Sequence, residues 1–393
     1  MSAHRLTTRL AAVGLGAALA AGVLAVGATA TAATPAAGTV VASEPLPQDL
    51  WYPGTARAER LTYWTSLANG QPALSTGTVF VPEGTPPDGG WPVLSWAHGT
   101  VGLGDDCAPS VVGPGARDRD FAYLGTWLDQ GYAIVASDYA GLGTPGVMPY
   151  LDGRAEAHSV VDMVKAGRSV EPDLSNAWVA IGQSQGGGAA ITTARYATEL
   201  GGPTLDYRGA VGTGVPAYIE NIVAQAGPGF PPVALPAGLT VYALYILAGL
   251  NAAHPELGVP GLLNETGLGL LGKAETLCYG DLKDEVAGLV LGTVFAKPLS
   301  SIPNVHGVLT DYMGIPETGY DKPFFIGQGL KDTDIIMPST LLLGGTLARN
   351  GEPVTFRTYP TDHSGTMAAS LVDTVPFVRD LFDGRTPESG AGS

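Results

Sequence analysis

The chain has 393 residues, 45% of them hydrophobic, which suffices for one large packed domain or two and excludes an intrinsically disordered polymer. Lys and Arg number 20 against 36 Asp and Glu, and the net charge of −16 argues against nucleic acid and anionic membrane surfaces as partners. No Cys/His cluster has metal-ligand spacing, so no metal is expected.

In chain order, residues 1–32 read as a signal peptide. Arg5 and Arg9 precede an apolar stretch rich in Ala, Gly and Leu. Ala28-Thr29-Ala30 and Ala30-Thr31-Ala32 both fit a small-residue cleavage site. A secreted protein cut near Ala30 or Ala32 is expected. Cys107 and Cys278 are the two cysteines, and in an oxidising compartment they are expected to pair; two buried free thiols are the alternative.

Residues 33–56 form an N-terminal leader, expected to be mobile as far as residue 47. Residues 58–67 and 73–81 alternate apolar and polar, as a hairpin at a sheet edge would. A strand over 91–96 ends in Ala97-His98-Gly99-Thr100. The spacing over 116–130 predicts a helix with Phe121, Leu124, Trp127 and Leu128 on one face. A continuous apolar strand follows at 132–137, then a helix over 153–170.

Residues 179–181 read as a buried strand, and 187–200 as a helix packed close beneath it. Between them lies Gly182-Gln183-Ser184-Gln185-Gly186. Strand, G-x-S-x-G and helix together form a nucleophile elbow. The five-letter pattern alone is weak here, because Gly is 56 of the 393 residues. Its weight comes from the flanking elements and from what the rest of the chain supplies.

After a strand at 208–211 the alternation lapses. Pro231, Pro232, Pro236, Pro255 and Pro260 interrupt a strongly apolar stretch. The longest apolar run, 235–250, is too short for a membrane span. The spacing predicts a helical cap over 217–320, with helices near 217–225, 239–253 and 283–291. Strands at 323–327 and 354–359 and helices at 338–349 and 367–382 complete the chain. The fold class is therefore α/β: a mostly parallel central sheet with helices on both faces and an inserted cap. Core segments are expected at 57–216 and 321–387, with a tail at 388–393.

Active sites of such sheets lie at the carboxyl ends of strands. Ser184 is a weak nucleophile unless a base takes its proton and a carboxylate orients that base. His4 leaves with the signal peptide, and His98 and His158 precede the serine. Of His254, His306 and His363, only His363 lies in a loop between the last strand and the last helix; His306 is the reserve candidate. For the acid, Asp332 is favoured over Asp334, two residues on. Both stand where an acid belongs in the Ser-Asp-His order of α/β-hydrolases. Backbone N–H groups of Gln185 and of the Gly99–Thr100 turn would form an oxyanion hole, with the Thr100 hydroxyl a further donor.

Seven motifs run in order along the chain: Trp96-Ala-His-Gly-Thr100, Cys107-Ala-Pro-Ser110, Ser137-Asp-Tyr-Ala-Gly-Leu-Gly143, Gly182-Gln-Ser-Gln-Gly-Gly187, Gln328-Gly-x-x-Asp332, Tyr359-Pro-x-x-His363 and Phe382-Asp-Gly-x-Thr-Pro387. Together they resemble the secretory lipase family, the α/β-hydrolase group of fungal lipase A-type enzymes and exported bacterial relatives. The resemblance implies a triad of Ser184, Asp332 and His363, a lid between the 208–211 strand and the Asp332 loop, and cofactor-free hydrolysis of carboxylic esters, including acylglycerols. The family's acid is usually followed by x-x-Val-Pro. Counting back from Pro338 would select Asp334 instead. A small ester or lipid substrate is expected, met at a lipid–water interface if the cap is a lid, by a monomer. A secreted peptidase or amidase on the same fold, and a non-catalytic binding protein, are the competing functions.

Overall fold

A computed structural model describes residues 35–387. The signal peptide and the 388–393 tail lie outside the described residues. Strands β1 (Val40–Pro45), β2 (Thr55–Ser66), β3 (Pro72–Pro82), β4 (Trp91–Ala97), β5 (Ala133–Ser137), β6 (Leu174–Gln183), β7 (Asp206–Thr213), β8 (Phe324–Gly329) and β9 (Val354–Tyr359) form one sheet. Their order is β1-β2-β3-β5-β4-β6-β7-β8-β9. From β5 to β9 neighbours run parallel, while β1, β2 and β3 form an antiparallel edge. The expected α/β class and edge hairpin are both present.

Period-2 alternation decides which helices cover which face. Leu94 and Trp96 of β4 and Val179 and Ile181 of β6 point to one side. There they meet Leu124 and Trp127 of α1 (Arg117–Leu128) and Phe377 and Val378 of α9 (Leu371–Phe382). Val93, Trp178 and Ala180 point to the other side. They meet Val160 and Val164 of α2 (Gly153–Val170), and Ala190 and Ile191 of α3 (Gln185–Gly201).

The leader is a correction. Residues expected to be mobile contain β1, which pairs with β2 in a register that sets Glu44 against Arg60. Their ion pair spans 3.0 Å. A Pro- and Ala-rich composition does not display that long-range pairing.

The chain from 217 onward carries α4 (Ala237–Ala253), α5 (Glu265–Ala274), α6 (Tyr279–Glu285) and α7 (Val305–Met313), with a short helix at Glu220–Val223. Helix α6 begins earlier than the expected 283, directly after Cys278, and Gly288 at φ 77° follows its end. Helices α5 and α7 were not expected. The glycines of α5 lower its intrinsic propensity, yet Gly267 is needed there: a Cβ would lie 2.4 Å from the Val294 carbonyl oxygen. Among the described residues no single helix is long and apolar enough to cross a membrane. Helix α8 (Met337–Arg349) precedes β9. The closing helix expected over 367–382 is two pieces, Gly365–Ala369 and α9. They meet at Ser370, whose Oγ donates to the Met367 carbonyl at 2.8 Å.

Candidate active site

The tips of β4, β6, β8 and β9 bring the singled-out residues to one end of the sheet. Between β6 and α3 the backbone turns at Ser184, with φ 60° and ψ −124°. That is a strained conformation for a non-glycine residue. Glycines on either side make it sterically possible. A Cβ at Gly182 would lie 2.0 Å from the Gly186 carbonyl oxygen, and one at Gly186 only 1.8 Å from that of Ala97. Such contacts leave no room for any side chain.

The β8 loop supplies the carboxylate. Asp332 is buried, and its Oδ1 accepts from the backbone N–H groups of Asp334 at 2.9 Å and Ile335 at 2.8 Å. Its Oδ2 accepts from the Gln328 side-chain amide at 3.2 Å and lies 2.6 Å from His363 Nδ1. Asp334, the alternative acid, turns the other way. Its Oδ2 accepts from the Tyr242 hydroxyl of α4 at 3.2 Å, so its carboxylate is the partner of a cap tyrosine rather than of the histidine.

With Nδ1 on Asp332, His363 directs Nε2 inward, where it is buried without a hydrogen-bond partner. Gly214 lets the imidazole lie against the backbone after β7; a Cβ there would stand 2.7 Å from His363 Cε1. His363 and Ser184 line the same cleft, of about 630 Å³, but are not hydrogen-bonded to each other. His306 lies elsewhere, its Nε2 2.7 Å from Asn221 Oδ1 in a separate cleft. His98 is buried below the β4 tip with Nδ1 2.7 Å from the Gly99 carbonyl oxygen. Burial favours the neutral ring and pulls its pKa down, while the nearby Asp138 carboxylate offsets part of that fall.

Gly99 passes alongside the serine: a Cβ on it would be 3.5 Å from Ser184 Cβ. Gln185 is the first residue of α3, where backbone N–H groups have no partner within the helix. The Thr100 hydroxyl is not free to serve as a third donor without competition, because it is 2.5 Å from the Tyr150 hydroxyl. Cys107 and Cys278 form a disulfide that joins the segment after β4 to the start of α6. Among the described residues no group of His, Cys, Asp and Glu is arranged to hold a metal ion.

Ser184 also borders a second, mostly apolar cavity of about 320 Å³. Leu151, Pro216, Leu239, Ala243, Ile246 and Ile335 are among its walls. The nucleophile candidate therefore stands between a cleft of mixed lining and an apolar one, with Tyr242, Thr333 and Asp334 shared by both.

Two residues near the serine went unnoticed in the sequence. Glu156 of α2 is buried, and its Oε1 accepts from the Gln185 side-chain amide at 2.8 Å and from Leu151 N–H at 3.2 Å. Burial lifts its pKa to about 8, and repulsion from Asp152 adds to the rise. In sequence it reads as an ordinary first-turn acid of a helix. Gln328 belongs to a quoted motif, yet nothing in the motif shows that its amide meets Asp332.

A family model described as secretory lipase matches residues 116–281. Lipase A of Moesziomyces aphidis is 26% identical over 382 residues, covering 90% of this chain and 78% of that protein. A Mycobacterium tuberculosis protein described as a probable inactive lipase is 26% identical over 353 residues, covering 85% of this chain and 75% of its own length. Among solved structures, Candida antarctica lipase A in its closed state superposes with a TM-score of 0.73 at 21% identity, covering 90% of this chain and 84% of that one. The rice cell wall degrading esterase LipA from Xanthomonas oryzae gives 0.71 at 19% identity, covering 89% and 100%. At these identities the solved structures show the fold, an α/β-hydrolase.

Proposed function

From this likeness to the secretory lipases we propose that the protein is an exported serine ester hydrolase of the lipase/esterase kind. Residues 217–320 would serve as the cap over a core made of 57–216 and 321–387. The observation that carries the proposal is the His363–Asp332 hydrogen bond of 2.6 Å, which leaves Nε2 unpartnered in the cleft that Ser184 also lines. Catalytic hydrogen bonds tighten when substrate fills a site, so the open Ser184–His363 pair is compatible with this role.

In the proposed reaction Ser184 Oγ attacks the acyl carbonyl as its proton passes to His363 Nε2. The oxyanion of the tetrahedral intermediate accepts from the N–H of Gln185 and from the Gly99–Thr100 turn. His363 then protonates the departing alkoxide, leaving an acyl group on Ser184. Water repeats the sequence, with His363 taking its proton and returning it to Oγ as the acid departs. Asp332 orients the imidazole and stabilises its charged form. The apolar cavity of about 320 Å³ suits the acyl chain and the cleft of mixed lining the alcohol. Ile222, Phe230 and Ile336, each more than a third exposed along the apolar cavity, give it a rim suited to a lipid surface.

A p-nitrophenyl ester series from acetate to palmitate tests this with the parent and Ser184→Ala. Hydrolysis by the parent, lost in the variant, is expected. Equal rates in both would sink the proposal. The relative described as probably inactive favours one second reading, a non-catalytic binding protein. Failure of a fluorophosphonate probe to label folded parent protein at Ser184 would favour it.

A further inference from the structure

The two proposed oxyanion donors come from different parts of the chain, the turn after β4 and the first residue of α3. One buried loop touches both. The Tyr150 hydroxyl is 2.5 Å from Thr100 Oγ1. Leu151, the next residue, has φ 65° and donates its N–H to Glu156 Oε1 at 3.2 Å. The same oxygen accepts from the Gln185 side-chain amide at 2.8 Å. Tyr150 and Glu156 are 3% and 2% exposed, and the Leu151–Glu156 and Gln185–Glu156 bonds are buried away from competing solvent. The loop is itself held by the cap. The Tyr312 hydroxyl of α7 donates to the Tyr150 carbonyl at 2.8 Å. Helix α4 presses Gly249 so close that a Cβ there would lie 2.4 Å from Tyr150 N.

We propose that Tyr150 and Glu156 are positioning residues that brace the oxyanion hole, fixing the separation between the Gly99–Thr100 turn and the first N–H of α3. Neither meets the reacting atoms. Each acts through the residue it holds, Tyr150 through Thr100 and Glu156 through Gln185. Oxyanion donors are effective because they are set before charge develops, and removing one costs about 100- to 1,000-fold in kcat. A donor that is present but loosely held loses part of that factor. Because the loop also bears on α4 and α7, the brace makes the hole depend on how the cap is seated.

The inference rests on the proposed function, so the parent protein is assayed first. Tyr150→Phe removes a single oxygen atom, and Glu156→Leu removes the acceptor at similar volume. Each is expected to lower kcat on p-nitrophenyl butyrate by about 10- to 100-fold with KM within about twofold, the signature of a lost transition-state interaction. Inhibition by an alkyl boronic acid, whose serine adduct occupies the oxyanion hole, should weaken in proportion to kcat/KM. Glu156→Gln keeps an acceptor oxygen and should recover most of the loss. Folded variants of Tyr150 and Glu156 with kcat within twofold of the parent, or with losses confined to KM, overturn the brace. If Glu156→Leu does not fold, Tyr150→Phe decides alone. A parent that neither hydrolyses esters nor is labelled at Ser184 overturns the functional proposal and the brace with it, an outcome distinct from an active parent with unaffected variants.

Discussion

Replacing Glu156 by Gln should alter how stability depends on pH, and in a definite direction. The carboxyl titrates near 4.5 when free, and burial lifts it to about 8 in the folded chain. The native state therefore holds this proton more tightly than the unfolded state does. Below pH 4.5 both states are protonated and the contribution to stability is complete. Between 4.5 and about 8 the unfolded chain gives up a proton that the native state keeps, so stability falls as pH rises. Above 8 the penalty is constant. At about 1.36 kcal/mol per pH unit, the full loss across this window is roughly 5 kcal/mol. Asp152, lifted by burial to about 6, acts in the same direction but is present in both proteins and largely cancels in their difference. Glutamine has no proton to lose, and its amide can donate to Gln185 Oε1, which is buried without a partner. Urea unfolding at pH 5 and pH 9 measures the effect. The parent should lose several kcal/mol more than Glu156→Gln between the two pH values. Parallel losses in parent and variant would refute the reasoning, because they would mean that Glu156 ionises in the native state as easily as in the unfolded chain.

Asp332→Asn should lower kcat by about 10⁴-fold through loss of the imidazole's orienting partner, whereas Asp334→Asn should act mainly on cap seating, with a far smaller drop; steady-state kinetics on one short ester separates them. Ala243→Trp, placed in the wall of the apolar cavity, should abolish hydrolysis of long-chain esters while sparing acetate, a contrast visible in the ratio of kcat/KM values. Reducing Cys107–Cys278 releases a 171-residue closed loop and should cost about 5 kcal/mol in the chain-entropy model, read as a lower urea midpoint for a doubly alanine-substituted protein.

The central sheet was legible because buried parallel strands leave continuous apolar runs, as in β5 and in residues 177–181 of β6. The serine turn was legible because a strained corner leaves glycines at fixed offsets. What depends on contacts across the chain was not. Asp332 and Asp334 stand in one loop, and which carboxylate faces His363 is fixed by the N–H groups of residues 334 and 335, which fold back onto Asp332 Oδ1. Edge strand β1 owes its order to β2, a partner that its own composition does not announce. Glu156 reaches a glutamine 29 positions away, and periodicity of α2 carries no trace of that bond.

The disulfide has a consequence for how the chain withstands proteolysis. Ser184 lies inside the ring closed by Cys107 and Cys278, while Asp332 and His363 lie beyond it. A protease that cuts once within the ring leaves both fragments covalently joined, so Ser184 stays attached to Asp332 and His363 and the pieces part on a gel only after reduction. A cut between residues 279 and 331 has no such safeguard and divides Ser184 from Asp332 and His363. Exposed loops of the same length therefore differ in how much damage one cleavage does, according to which side of Cys278 they fall on.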